Sequence, residues 1–188
     1  MTGIPDHVRD ARERAELLVT PRHVQFAIDQ VAVRMTTRLA DEHPVLLCVL
    51  QGGFMYASEL AKRFDFPLQV AFVHVARYGD RTEGGTLRWL TKPQLSVARR
   101  HVLLVDDILD QGITLTELVR WADESGARAV TTTVLVNKQV TRPTVTAADY
   151  AALECPDRYL FGCGMDYQGY WRNLPGIYAL PQDLEDAS

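Results

Sequence analysis

The chain has 188 residues, 47% hydrophobic and 23% charged, enough to bury a core without disulfide or metal staples. Its formal net charge of −4 argues against nucleic acid as the main partner, because domains that bind it carry a basic face. No apolar run reaches membrane-spanning length and the opening MTGIPDHVRDARERAELL lacks a secretory apolar stretch, so no membrane partner is expected either.

In chain order, Thr20-Pro21 predicts a helix start, with a hydroxyl at the N-cap and proline at the first helical position. Val24, Ile28, Val31, Met35 and Leu39 give one apolar face up to about Glu42, and Pro44 stops the helix. Val45 to Leu50 is a continuous apolar run before Gly52-Gly53, as expected for a strand buried on both faces. A helix is expected from about Phe54 to Phe64 and a strand from Leu68 to Val75. Gly79 to Gln94, with three glycines, a proline and no sustained period, reads as a long loop, and loops of that length are commonly functional.

Val102 to Val105 predicts a short strand, Thr114 to Ser125 a helix with Leu115, Leu118, Val119 and Ala122 on one face, and Gly126 its C-terminal stop. Ala129 to Val136 is a β-branched strand, and short strands are expected at Tyr159 to Phe161 and Ile177 to Leu180. Strands alternating with helices imply an α/β fold of parallel βαβ units. The cysteines Cys48, Cys155 and Cys163 have no metal-binding spacing; Cys48 sits in an apolar run, and the set implies a reducing, cytoplasmic compartment.

The segment His101 to Leu115, HVLLVDDILDQGITL, carries the chemistry. It runs from an apolar strand through two adjacent carboxylates to a third, then a glycine and a hydroxyl that open a helix. In open α/β sheets ligands sit beyond the carboxyl ends of the strands, so these residues are expected at a crevice. Asp110 to Thr114 can wrap backbone N–H groups around a phosphate at a helix N-terminus, with Gly112 allowing close approach and Thr114 adding a hydroxyl. Asp106 and Asp107 suit the two hydroxyls of a ribose or a hydrated divalent cation. Together they describe a ribose-5-phosphate site. The plainer alternative is an acidic loop in which Asp110 or Thr114 merely caps the helix.

VLLVDDILDQGITL resembles the signature with which type I phosphoribosyltransferases bind 5-phosphoribosyl-1-pyrophosphate (PRPP). Three further segments match in order. LQGGFMYASEL resembles the pyrophosphate loop of the purine members, HVARYGD the start of their flexible loop, and PDRYLFGCGMDYQGYWRNLPGIYAL the hood segment of the hypoxanthine-guanine enzymes. The resemblance implies a parallel-sheet type I phosphoribosyltransferase core with helices on both faces and a small C-terminal hood. It also implies a single domain, with the core at about 20–150 and the hood at about 151–188 with part of the N-terminus.

The same resemblance implies roles. Asp106 and Asp107 would hold the ribose hydroxyls near Mg2+; Asp110 would manage the purine N7 proton; Gln111, Gly112, Ile113 and Thr114 would bind the 5′-phosphate. Gln51 and Gly52, in the family through a non-proline cis peptide, and Arg172 would contact pyrophosphate. Lys138 would donate to purine O6, Tyr159 would stack on the base, the backbone of Leu160 would read its edge, Asp166 would help hold a second Mg2+, and Tyr78 would ride on the closing loop. The implied reaction joins PRPP to hypoxanthine or guanine in a homodimer or homotetramer. A non-catalytic, nucleotide-sensing, RNA-binding regulator on the same fold is the competing expectation. Gln51, Gln111 and Ile113 depart from the commoner lysine, threonine and basic residue at those places; because backbone amides do most of the phosphate binding, weaker or altered binding rather than none is expected. Taken singly, Lys138 would be solvent-exposed, Tyr159 core and Asp166 a turn cap.

Overall fold

The computed structural model describes residues 3–77, 87–140 and 144–185. In chain order the elements are α1 (Asp6–Arg14), β1 (Glu16–Val19), α2 (Pro21–Leu39), β2 (Val45–Leu50), α3 (Gly53–Ala61), β3 (Gln69–Arg77), β4 (Leu87–Thr91), β5 (His101–Leu109), α4 (Ile113–Glu124), β6 (Ala129–Gln139), β7 (Tyr150–Pro156), β8 (Leu160–Phe161), β9 (Ile177–Ala179) and α5 (Gln182–Glu185). The main sheet has six strands in the order β4-β3-β2-β5-β6-β7, parallel throughout except for β4 against β3. A second, antiparallel sheet, β1-β9-β8, joins the N-terminal strand to the C-terminal segment.

The apolar run of β2 is explained by its two faces. Leu46 and Cys48 pack with Val24, Ile28, Val31, Tyr56 and Leu60 of α2 and α3, while Val45, Leu47 and Val49 pack with Leu115 and Leu118 of α4. β5 alternates likewise, Leu103 and Val105 to one side and Val102 and Leu104 to the other. Helices therefore cover both faces, as the βαβ pattern requires. The start of α2 is as expected, Thr20 accepting from the His23 amide with Pro21 in the first turn, and Gly126 takes the left-handed conformation after α4 (φ 80°). All three cysteines are buried and unbridged, and burial pushes the Cys48 thiol up to about 12.

Several elements differ from expectation. Residues 87–91, placed in a long loop, form β4, whose Trp89 turns inward and meets Trp121 of α4 at 5.2 Å between rings. β5 continues past Val105 to Leu109, because its ladder with β6 persists through Leu109↔Asn137 after pairing with β2 has ended at Cys48↔Val105. α1, β1 and β7 carry only weak apolar patterns. In α1 only Val8 and Ala11 are buried. It is held from outside: the Trp171 indole donates to the Val8 carbonyl (2.8 Å), and the Arg12 guanidinium lies over the Tyr178 ring.

Candidate active site

The carboxyl end of β5 turns through Asp110, Gln111 and Gly112 into α4. Gly112 stands at the N-cap with φ 81°, and a Cβ there would come within 3.0 Å of the Thr146 side chain and carbonyl. Both facts exclude a larger residue. Gly112, which has no side chain, holds the N-cap position of α4, so neither Asp110 nor Thr114 stands there. The Val145 amide donates to the Gln111 carbonyl (2.9 Å), which pins the turn from behind. A cleft of about 290 Å³ opens here, lined by Asp106, Asp107, Asp110, Gly112 and Thr114 among others. Gln111 and Ile113, both part-buried, flank it without lining it.

Asp106 and Asp107 lie in the strand rather than in a loop after it. Neighbouring strand residues alternate faces, so the two carboxylates are not a simple side-by-side pair. Both still border the cleft, because the sheet ends there. The Asp107 amide, beyond the last β2 pairing, donates to Asp106 Oδ1 (2.9 Å). Burial pushes the Asp107 carboxyl above the usual carboxylate range, opposed by its hydrogen bond with Asp106 and by the Arg172 charge.

Three stretches of backbone converge on Asp107. The Leu50–Gln51 peptide is cis, at the place the family resemblance indicated. A Cβ on Gly52 would stand 1.7 Å from Asp107 Oδ2, and one on Gly53 2.8 Å from the Val105 carbonyl oxygen. Gly164, at φ 105°, would place a Cβ 2.0 Å from the Gly52 carbonyl oxygen. Arg172 holds this corner: Nη1 donates to the Gly164 carbonyl (2.6 Å) and Nη2 meets Asp166 Oδ1 (2.6 Å). Arg172 borders a separate cavity of about 190 Å³ beside Glu59 and Cys163, so its charge, rather than its contact surface, reaches the cleft.

Asp166 does two things at once. Its Oδ2 accepts from the Gly169 amide (2.6 Å), which is the turn cap, while its other oxygen meets Arg172. Asp106, Asp107 and Asp166 supply only oxygen donors, which fits a hard divalent cation. Among the described residues no three His, Cys, Asp or Glu side chains form a ready cage. That donor set fits Mg2+, which keeps several waters and takes one or two carboxylates plus substrate phosphates.

A second cleft, of about 280 Å³, adjoins the first. Lys138, Tyr159, Leu160 and Asp166 line it, and it shares Asp107, Ile108 and Asp110 with its neighbour. Lys138, at the end of β6, is mostly covered and places Nζ 2.9 Å from Asp157 Oδ1, so it is not a solvent-exposed lysine. Tyr159 is half-buried and meets Tyr167 edge-on at 5.9 Å. Tyr78 lies outside the described residues. Three contributors were missed in the sequence: Asp157, Arg158, which lines this cleft, and Tyr167 behind Tyr159. Asp157 and Arg158 do stand in the hood-like segment, but nothing local ties them to Lys138 on another strand.

Residues 20–168 match the family described as phosphoribosyl transferase domain. The chain is 30% identical over 166 residues to the hypoxanthine-guanine phosphoribosyltransferase of Bacillus subtilis, covering 88% of this chain and 92% of that one. To the enzyme of the same name from Leishmania donovani it is 32% identical over 179 residues, covering 90% and 85%. The crystal structure of a hypoxanthine phosphoribosyltransferase from Staphylococcus aureus is similar with a TM-score of 0.86 at 26% identity, covering 92% of this chain and 95% of the other.

Proposed function

The chain belongs to the phosphoribosyltransferase family, among its hypoxanthine-guanine enzymes, and from that premise we propose how its residues divide the reaction. The 5-phosphoribosyl group passes from PRPP to N9 of hypoxanthine, guanine or both, giving IMP or GMP and pyrophosphate in purine salvage. The observation that carries this reading is that two clefts, one beside a helix N-terminus and one beside a lysine and a tyrosine, share Asp107, Ile108 and Asp110. A phosphorylated sugar and a flat base placed in them would meet at Asp110.

The 5′-phosphate sits against the backbone of Gln111, Gly112, Ile113 and Thr114, where amides and the helix dipole favour negative charge. Asp106 and Asp107 accept from the ribose hydroxyls. Gln51 and Gly52 contact the pyrophosphate through backbone, and Arg172 adds positive charge as it departs. Magnesium near Asp106 and Asp107, with a second ion that Asp166 would help hold on the pyrophosphate side, would neutralise charge on the leaving group. The anomeric carbon passes through a cationic, oxocarbenium-like state as N9 attacks, and Asp110 manages the N7 proton as the ring's electrons shift.

Lys138 donates to O6, Tyr159 stacks on the ring and the Leu160 backbone reads its edge. Because an ammonium offers only donors, a 6-oxo group fits and the 6-amino group of adenine does not.

The reading extends to the whole molecule. The chain is one domain with a core of about 20–150 and a hood of about 151–188 with part of the N-terminus, which the β1-β9-β8 sheet supports. A homodimer or homotetramer is supported by Phe54, Met55, Val70 and Phe72, exposed apolar residues on α3 and β3. No described helix is long and apolar enough to cross a membrane. Unbridged cysteines agree with a cytoplasmic location.

Asp110→Asn tests the division. Turnover should fall by about 10²- to 10⁴-fold, the usual worth of a positioned acid/base, while PRPP affinity by calorimetry stays near wild type. Equal loss of both would show that Asp110 binds substrate rather than handling the proton.

A further inference from the structure

A lysine selects an oxo group only if its ammonium is held where that oxygen will sit. Its stem is a flexible four-carbon chain with several free rotors, so the holding must come from elsewhere. β6 and β7 run parallel with Lys138 opposite Cys155. Asn137 and Lys138 face opposite sides of the sheet. Asn137 is taken by Glu154, its amide donating to both carboxylate oxygens at 3.0 and 2.9 Å. Lys138 is left to the cleft side, where Asp157 Oδ1 stands 2.9 Å from Nζ.

We propose that Asp157 is the positioning residue for base recognition: its carboxylate fixes the Lys138 ammonium where the purine 6-oxo group must meet it. The proposal rests on the reading of Lys138 as the O6 donor. The two side chains are 12% and 28% exposed, so solvent screens the pair only in part. The carboxylate has a fixed place of its own. The next residue, Arg158, bonds Glu16 of β1 (2.5 Å) and the Leu180 carbonyl beyond β9 (2.6 Å), which fastens this segment to the small sheet.

The ammonium pairs with Asp157 on one side and, having three donors, can still offer hydrogen to the base. Lys138 lines the base cleft and Asp157 does not, so Asp157 acts through the lysine rather than on the purine.

The test is steady-state kinetics with PRPP, magnesium, hypoxanthine and guanine, on the full chain and on Asp157→Asn, Asp157→Glu, Lys138→Met and the double variant Lys138→Met/Asp157→Asn, with thermal melts alongside. Asp157→Asn should raise KM for both bases by the same factor, about tenfold for the loss of one part-covered ion pair that holds the donor, because both bases carry O6. KM for PRPP should hold within about twofold, and Asp157→Glu, with its displaced carboxylate, should fall between. In the Lys138→Met background, Asp157→Asn should add nothing further. If Asp157→Asn does not fold, Asp157→Glu carries the same comparison of base and PRPP. A rise in KM for PRPP matching that for the bases, or an undiminished effect without Lys138, would make the pair merely structural and overturn the proposal. Unchanged base KM in Lys138→Met would remove the O6 reading itself. A raised base KM in Lys138→Met with none in Asp157→Asn would remove only the role of Asp157.

Discussion

Apart from Val134 of β6, the cleft read as the phosphate side is lined by one stretch of chain, Asp106 to Leu115, whereas the one read as the base side is put together from the ends of β6, β7 and β8 and is fastened through Arg158 to Glu16 near the N-terminus. The first depends on backbone placement, with glycines where a side chain would collide. The second depends on side chains: an ion pair, an edge-on tyrosine pair and a charge bolted across two sheets. The two sides should therefore fail differently, the phosphate side on addition of a methyl group and the base side on removal of a charge or a ring.

The largest effects belong to the glycine corner. In Gly52→Ala the new Cβ would need the space of Asp107 Oδ2, 1.7 Å away. Displacing that carboxylate should cost about 100-fold or more in turnover, the usual effect of misplacing a group by an ångström. In Gly164→Ala the new atom meets the Gly52 carbonyl at a positive φ of 105°, so the loss should also appear as about 2–4 kcal/mol of stability in denaturant melts. Wild-type kinetics from either variant would break the contrast.

On the base side a single truncation should be milder and selective. Tyr159→Leu should raise KM for the base by about fivefold, in line with about 1 kcal/mol for a lost aromatic contact, and leave KM for PRPP alone. A PRPP effect of the same size would mean that the two sides are not separable. The smallest change is Trp171→Phe, which deletes the 2.8 Å bond to the Val8 carbonyl. It should cost about 1 kcal/mol and about 2–4 °C in Tm, with kcat retained, showing that α1 steadies the base side without joining the chemistry.

The same contrast explains what could be read in the sequence. Asp106 to Thr114 was legible because its ligands are neighbours in the chain and its helix start follows local rules. The extent of β5 was not, since Asp106 and Asp107 interrupt the apolar run after Val105, while the hydrogen-bond ladder with β6 carries on and returns Ile108 and Leu109 to apolar packing. β4 was hidden by half-exposed residues in a glycine-rich stretch, and α1 because two buried residues make no recognisable stripe. The Lys138–Asp157 pair joins two strands and has no local signature, so only the parallel register of β6 and β7 reveals it.

The most direct measurement offers hypoxanthine, guanine, xanthine and adenine separately, with PRPP and magnesium, and follows nucleotide formation by absorbance. Rapid product from hypoxanthine or guanine and none from adenine is the predicted result, because Lys138 as the proposed partner of position 6 would offer only donors. Product from adenine at a comparable rate, or no product from any base while PRPP still binds, would contradict it.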